Sequence, residues 1–201
     1  MTVKRLLRKL VTIAFGALTL SGVPSLAFAQ GDHAHGGPSQ PQAQTAEQKA
    51  SAGELIKAVR EATEKFQNSD FAQSQGYSLL FGCVSGGDYG AMGLHFVNLS
   101  LVDDVIDVNQ PEIILYEPQA NGKVKITGAD FLIPAALWDA KHPHDPPQLM
   151  GQLFHYFDAP NRFGLDPFYT LHVWAWKENP NGAFTNWNPN VSCEAFGSQD
   201  R

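Results

Sequence analysis

Four side chains in this sequence could do metal chemistry: His95, Glu117, His155 and His172, each within or at the end of a segment with the residue alternation of a β-strand. Imidazole nitrogens and a carboxylate converging from neighbouring strands can hold Zn, Cu or Fe and leave a coordination position open. His95 and His172 are the strongest pair. They sit in Leu94-His95-Phe96 and Leu171-His172-Val173, and apolar neighbours of that kind need a reason to keep a polar ring among them. Taken singly, a strand histidine is more commonly a hydrogen-bonded core or surface residue than a ligand, and Glu117 can simply solvate the turn before Pro118. His142 and His144 fall in a proline-stiffened loop, where they face water or lid the same pocket.

The run from Tyr169 onwards would build the wall of that pocket. β-Branched and aromatic residues alternate there, placing Leu171, Val173 and Ala175 on one face and Thr170, His172, Trp174 and Trp176 on the other. Asn179-Pro180-Asn181-Gly182 then supplies a turn, and Trp187 follows it. Trp174, Trp176, Trp187, Phe96 and Tyr116 are the expected lining, suited to stacking on a small apolar or sugar ligand. Other chemistries find little support. Ser85 stands in Cys-Val-Ser-Gly-Gly rather than G-x-S-x-G, and the glycine-rich stretch 85–93 lacks the G-K-[ST] ending of a phosphate loop. Asp103, Asp104, Asp107 and Asn109 miss the spacing of a calcium loop.

Positioning these residues requires a sheet. Thr45-Ala-Glu-Gln48 has the form of a capping box, and Leu55, Val59, Ala62 and Phe66 recur at helical spacing, so a helix comes first; Asp70 is placed to cap a short second one. Strands are expected over 77–84, 94–99, 111–118, from Lys123 towards Ile133, over 152–157 and from Tyr169, with Asn121-Gly122 as a hairpin signal and one helical turn at 135–140. Helices followed by mostly antiparallel strands give an α+β class: an N-terminal helix, then a curved antiparallel sheet or small β-barrel. The organisation read from composition is a signal peptide over 1–29, a disordered linker with His, Gln and Pro over 30–50, and a single domain over 51–197.

The export reading rests on Lys4, Arg5, Arg8 and Lys9, the apolar run from Leu10 to Leu20 and the A-x-A site Ala27-Phe28-Ala29; the apolar run is shorter than the roughly 20 residues of a membrane span. Four of the 14 basic residues and none of the 20 acidic ones lie in this segment, so its removal takes the net charge from −6 to −10. So acidic a chain is a poor partner for nucleic acid or anionic lipid, and no later apolar run is long enough to span a bilayer. The expected product is periplasmic or secreted, with a small molecule as partner. In that compartment Cys83 and Cys193, with no C-x-x-C, read as one disulfide. In the linker, His33-Ala-His35 could capture a transition metal, although histidines in a solvated tail are commonly incidental.

Two resemblances follow from these residues. Histidines and a glutamate on strands resemble the metal ligation of cupin-type barrels, but His95-Phe-Val-Asn lacks that family's second histidine, so no cupin activity is carried over. The segments Met92-Gly-Leu-His-Phe-Val-Asn98, Pro111-Glu-Ile-Ile-Leu-Tyr-Glu-Pro118, Leu171-His-Val-Trp-Ala-Trp-Lys-Glu-Asn-Pro-Asn-Gly182 and Trp187-Asn-Pro-Asn-Val-Ser-Cys193 resemble those of a family of exported bacterial single-domain proteins. That resemblance spans about Leu55 to Cys193 and implies export and one domain. Three functions stay open: a small-ligand or metal-binding domain with a histidine-containing aromatic pocket, a metal-dependent oxidoreductase or hydrolase using His95, His172 and Glu117, and a structural or interaction module without a metal.

Overall fold

In the computed structural model, which describes residues 44–197, helix α1 (Ala46–Thr63) opens the fold. Its start is set by the capping box: Thr45 Oγ1 accepts from Gln48 N, and Gln48 Oε1 accepts from Thr45 N. The first five residues of the helix, 46–50, therefore lie inside the stretch that composition assigns to linker. The expected signal peptide and the His33–His35 pair lie outside the described residues. A 3₁₀ turn (Glu64–Gln67) leads to α2 (Ser69–Ser74). Asn68, not Asp70, caps α2, its side chain accepting from Asp70 N.

Strands β1 (Ser78–Ser85), β2 (Ala91–Val97), β3 (Ile113–Pro118), β4 (Val124–Pro134), β7 (His155–Phe157) and β8 (Phe168–Val173) form one antiparallel sheet in the order β1-β2-β3-β4-β8-β7. It is a curved, open half-barrel, so of the two shapes allowed by the sequence the curved sheet is the one adopted. Between β4 and β7 lie α3 (Ala135–Asp139) and a two-residue hairpin of β5 (Gln148–Leu149) and β6 (Gln152–Leu153). The run expected as one strand over 152–157 is thus divided at Phe154, whose backbone N–H donates to Pro147 O and whose ring joins the core. A last turn, α4 (Glu194–Gly197), follows Cys193.

The two faces of the sheet are used differently. Leu55 and Val59 of α1 pack on Ala129, Phe131, Ile133, Leu171 and Val173, while Phe66, Ala72 and Tyr77 pack on Leu94, Phe96, Ile114, Tyr116 and Ile126. Side chains alternate across a strand, so these are one face, covered by the helical layer. A register shift after Leu115 lets Ile126 and Ala129, an odd number of residues apart, stay on that face. Two predicted pocket residues belong here: Phe96 and Tyr116 pack edge to face with centroids 4.8 Å apart, and Tyr116 Oη donates to Phe66 O. They are core, because their strand parity is opposite to that of His95.

The other face carries His95, Asp130, Thr170 and His172. Over it run the loop 158–167 and the C-terminal segment, which is tied down by the Cys83–Cys193 disulfide (Cα–Cα 5.7 Å, closing a separation of 110 residues). A second clamp adjoins it: Glu117 accepts from Lys177 Nζ at 2.6 Å and from Ser192 N at 3.1 Å. Beside Asp130 the buried carboxyl of Glu112 accepts from Leu132 N at 3.1 Å. Burial, reinforced by the nearby Asp130 and Asp103 carboxylates, pushes Glu112 up to about 8.

Candidate functional site

Three buried side chains converge on the second face: His95 from β2, Asp130 from β4 and His172 from β8. One ligand atom from each lies within 4.8 Å of the others, so the group could hold a metal ion. Pairing explains part of this. Asp130 and His172 are direct cross-strand partners, as are Ile113 and Asp130. His95 is paired with Leu115, on the far side of β3. Three strand spacings separate β2 from β8, about 14 Å in a flat sheet. The rings of His95 and His172 nevertheless have centroids 5.7 Å apart. Curvature towards this face, with both rings leaning inward, closes the gap.

The polar atoms of the group are oriented unequally. His95 Nδ1 lies 3.1 Å from Gly93 O. A carbonyl only accepts, so Nδ1 carries the proton and Nε2 keeps its lone pair. Gly93 has φ +88°, and a side chain there would collide with Tyr116 O, so glycine alone permits the turn that aims this carbonyl. Asp130 Oδ1 accepts from Thr170 Oγ1 at 2.5 Å. Asp130 Oδ2 lies 3.1 Å from His172 Nδ1, but not along the direction a ring N–H would need, and both ring nitrogens of His172 remain without a hydrogen-bond partner. The two side chains therefore approach closely without a hydrogen bond between them.

Burial sets the charges. It pulls His95 down to about 4, with the neighbouring His172 adding to the effect, and His172 down to about 3. It pushes Asp130 up to about 6 against the opposing Thr170 hydrogen bond. Near neutral pH the group is thus two neutral imidazoles and one carboxylate. These are the protonation states a divalent transition metal needs in its ligands. The Gly93 carbonyl behind one imidazole and the Thr170 hydroxyl behind the carboxylate stand where outer partners would orient metal ligands.

The group lines a partly open cavity of about 30 Å³. Its walls are mainly apolar, with Phe81, Phe157, Phe163 and Phe168 among the lining residues. Phe81 stands at φ +65° in the irregular stretch of β1 where pairing skips from Leu80 to Cys83, and its ring packs edge to face on Phe163 at 5.5 Å. The bulge turns this half-exposed aromatic over the cavity.

Of the residues expected at the site, His95 and His172 are brought together. Glu117 is not among the converging ligands; it clamps Lys177 and the backbone of Ser192. His155 is paired with Thr170 and so shares the site's face, but it sits on the edge strand, exposed, outside the ligand group. Trp174 touches His172 at 5.8 Å between ring centroids and donates to Thr185 O, yet lines a separate groove with Trp176 and Arg60. Trp176 is turned to the helical side, because β8 ends at Val173 and the alternation ends with it: its Nε1 donates to Thr63 Oγ1. Trp187 lies under Arg162, its ring 5.5 Å from the guanidinium, and closes on Gly86. The cavity is lined instead by phenylalanines. Sequence reasoning passed over Asp130 and Thr170. The available signal for Asp130 was a carboxylate within Ala129-Asp-Phe-Leu-Ile133, where burial without a partner is costly.

No family model, curated protein or solved structure matches this chain.

Proposed function

We propose that this is an exported metal-binding domain in which His95, Asp130 and His172 hold a divalent transition ion, Cu, Zn or Fe, with a free position facing the cavity for a small ligand. One observation carries the reading: a buried histidine with both nitrogens unpartnered stands beside a carboxylate and a second imidazole whose free nitrogen is Nε2. Unpaired buried polar atoms cost on the order of 1–3 kcal/mol each, which coordination would offset. A disulfide suits an oxidising compartment, and no helix among the described residues is long and apolar enough to cross a membrane. Two histidines and one carboxylate with open positions are also a set used by metalloenzymes. The same centre would serve an oxidoreductase or hydrolase as redox site or Lewis acid, with Asp130 in the role expected of Glu117.

The test is elemental analysis and calorimetric titration of untagged protein with Cu(II), Zn(II) and Fe(II). One ion per chain is expected, lost in Asp130→Asn and in the His95→Ala, His172→Ala pair while circular dichroism shows the fold intact. Equal occupancy in these variants would refute the reading and direct attention to His33 and His35.

A further inference from the structure

Among the described residues, four buried side-chain polar atoms lack a hydrogen-bond partner, and three belong to residues lining this one cavity: both nitrogens of His172 and Oδ1 of Asn186. The histidine nitrogens are accounted for by the proposed ion. Asn186 Oδ1 is not, since a carbonyl-type oxygen is no match for a carbon-lined hollow unless something within it donates a hydrogen bond. We infer that the free position of the centre holds a small protic ligand, resident water above all, and that Asn186 is its positioning residue, accepting a hydrogen bond from it through Oδ1; this rests on the metal reading.

Size and charge narrow the ligand. The cavity, about 30 Å³ in volume, has room for a water-sized group. The rest of the lining is apolar apart from Thr170, whose hydroxyl is already donated to Asp130, so it offers nothing to an anion's lone pairs. An oxygen on Asn186 meets an anion with repulsion, while Asp130 already supplies negative charge to the ion. The site therefore favours small neutral donors, such as water or hydrogen peroxide, over small anions. Metal-bound water held by one acceptor in a largely apolar hollow is oriented and has a lowered pKa. Asn186 decides where its second proton points.

The experiment loads the full mature chain with Cu(II) and titrates fluoride, a one-atom acceptor, reading its nuclear splitting of the copper resonance by electron paramagnetic resonance. Asn186→Leu removes the acceptor at similar volume, and Asn186→Asp strengthens it. Removing one hydrogen bond to the displaced water should tighten fluoride about five- to tenfold in Asn186→Leu, and Asn186→Asp should weaken it by a similar factor. Copper content should stay at one per chain in all three. Equal fluoride affinity across the series, the reverse order, or no splitting in any of the proteins overturns the inference while leaving the metal reading intact. Failure of the wild-type protein to retain copper, zinc or iron at the three ligands refutes that reading instead.

Discussion

Replacing Glu112 with Gln should make the protein more stable at alkaline pH. Glu112 is 2 % exposed, its Oε2 accepts from Leu132 N, and it shares its surroundings with Asp130 and Asp103. Desolvation first, and those carboxylates second, raise the folded value from 4.5 to about 8. A folded value above the unfolded one means that this group's stabilisation is complete below about pH 4.5 and is lost as pH rises towards 8. At 1.36 kcal/mol per pKa unit, the interval corresponds to about 3 kcal/mol lost by pH 7 and about 5 by pH 9, relative to a residue that does not titrate. The amide oxygen of Gln keeps the acceptor for Leu132 N, so Glu112→Gln should match the wild type within about 1 kcal/mol at pH 5. Urea denaturation at pH 5, 7 and 9 measures the difference. Stability curves for the two proteins that run parallel across this range would show that Glu112 is ionised without penalty, and the reasoning from burial would fail.

Thr170→Val removes the hydroxyl that fixes Asp130 without changing side-chain shape much; metal affinity by calorimetric titration should fall about 10- to 100-fold with the fold retained. Cys83→Ala together with Cys193→Ala, closing no loop of 110 residues, should cost about 4–5 kcal/mol in denaturant unfolding. Leu55→Ala deletes a fully buried contact between α1 and the sheet and should cost about 2–5 kcal/mol, read as a lower urea midpoint; an unchanged midpoint would mean that α1 does not cover this face.

Much of the architecture is written in short-range patterns. The capping box at Thr45, the stripe of Leu55, Val59 and Phe66, the Asn121-Gly122 turn and the alternation around Leu171 and His172 each depend on residues a few places apart, and each appears in the structure. The pattern failed where a strand ended sooner than its composition implied, as at Trp176, or where a buried ring interrupted it, as at Phe154. Glu117 and Asp130 are both carboxylates in strands, and alternation does not say which strands are neighbours. The phenylalanine lining was missed for a related reason: Phe81 reaches the cavity only through an irregular pairing in β1, and Phe163 only through a loop folded back over the sheet.

The chain's local order of residues, then, dictates an α+β chain with an N-terminal helix, its antiparallel strands and the face on which His95 and His172 stand, because period and capping act over one or two turns of backbone. Tertiary structure decides that these histidines meet. It does so through the strand order β2-β3-β4-β8, the curvature that brings rings from non-adjacent strands to 5.7 Å, and the cross-strand register that sets Asp130 beside His172. The cysteine pair was legible as chemistry, but its place as the fastening of the segment carrying Asn186 over the site depends on pairings 110 residues apart. Long-range pairing is a property of the whole folded chain, since each strand's partner is selected by the burial of every other.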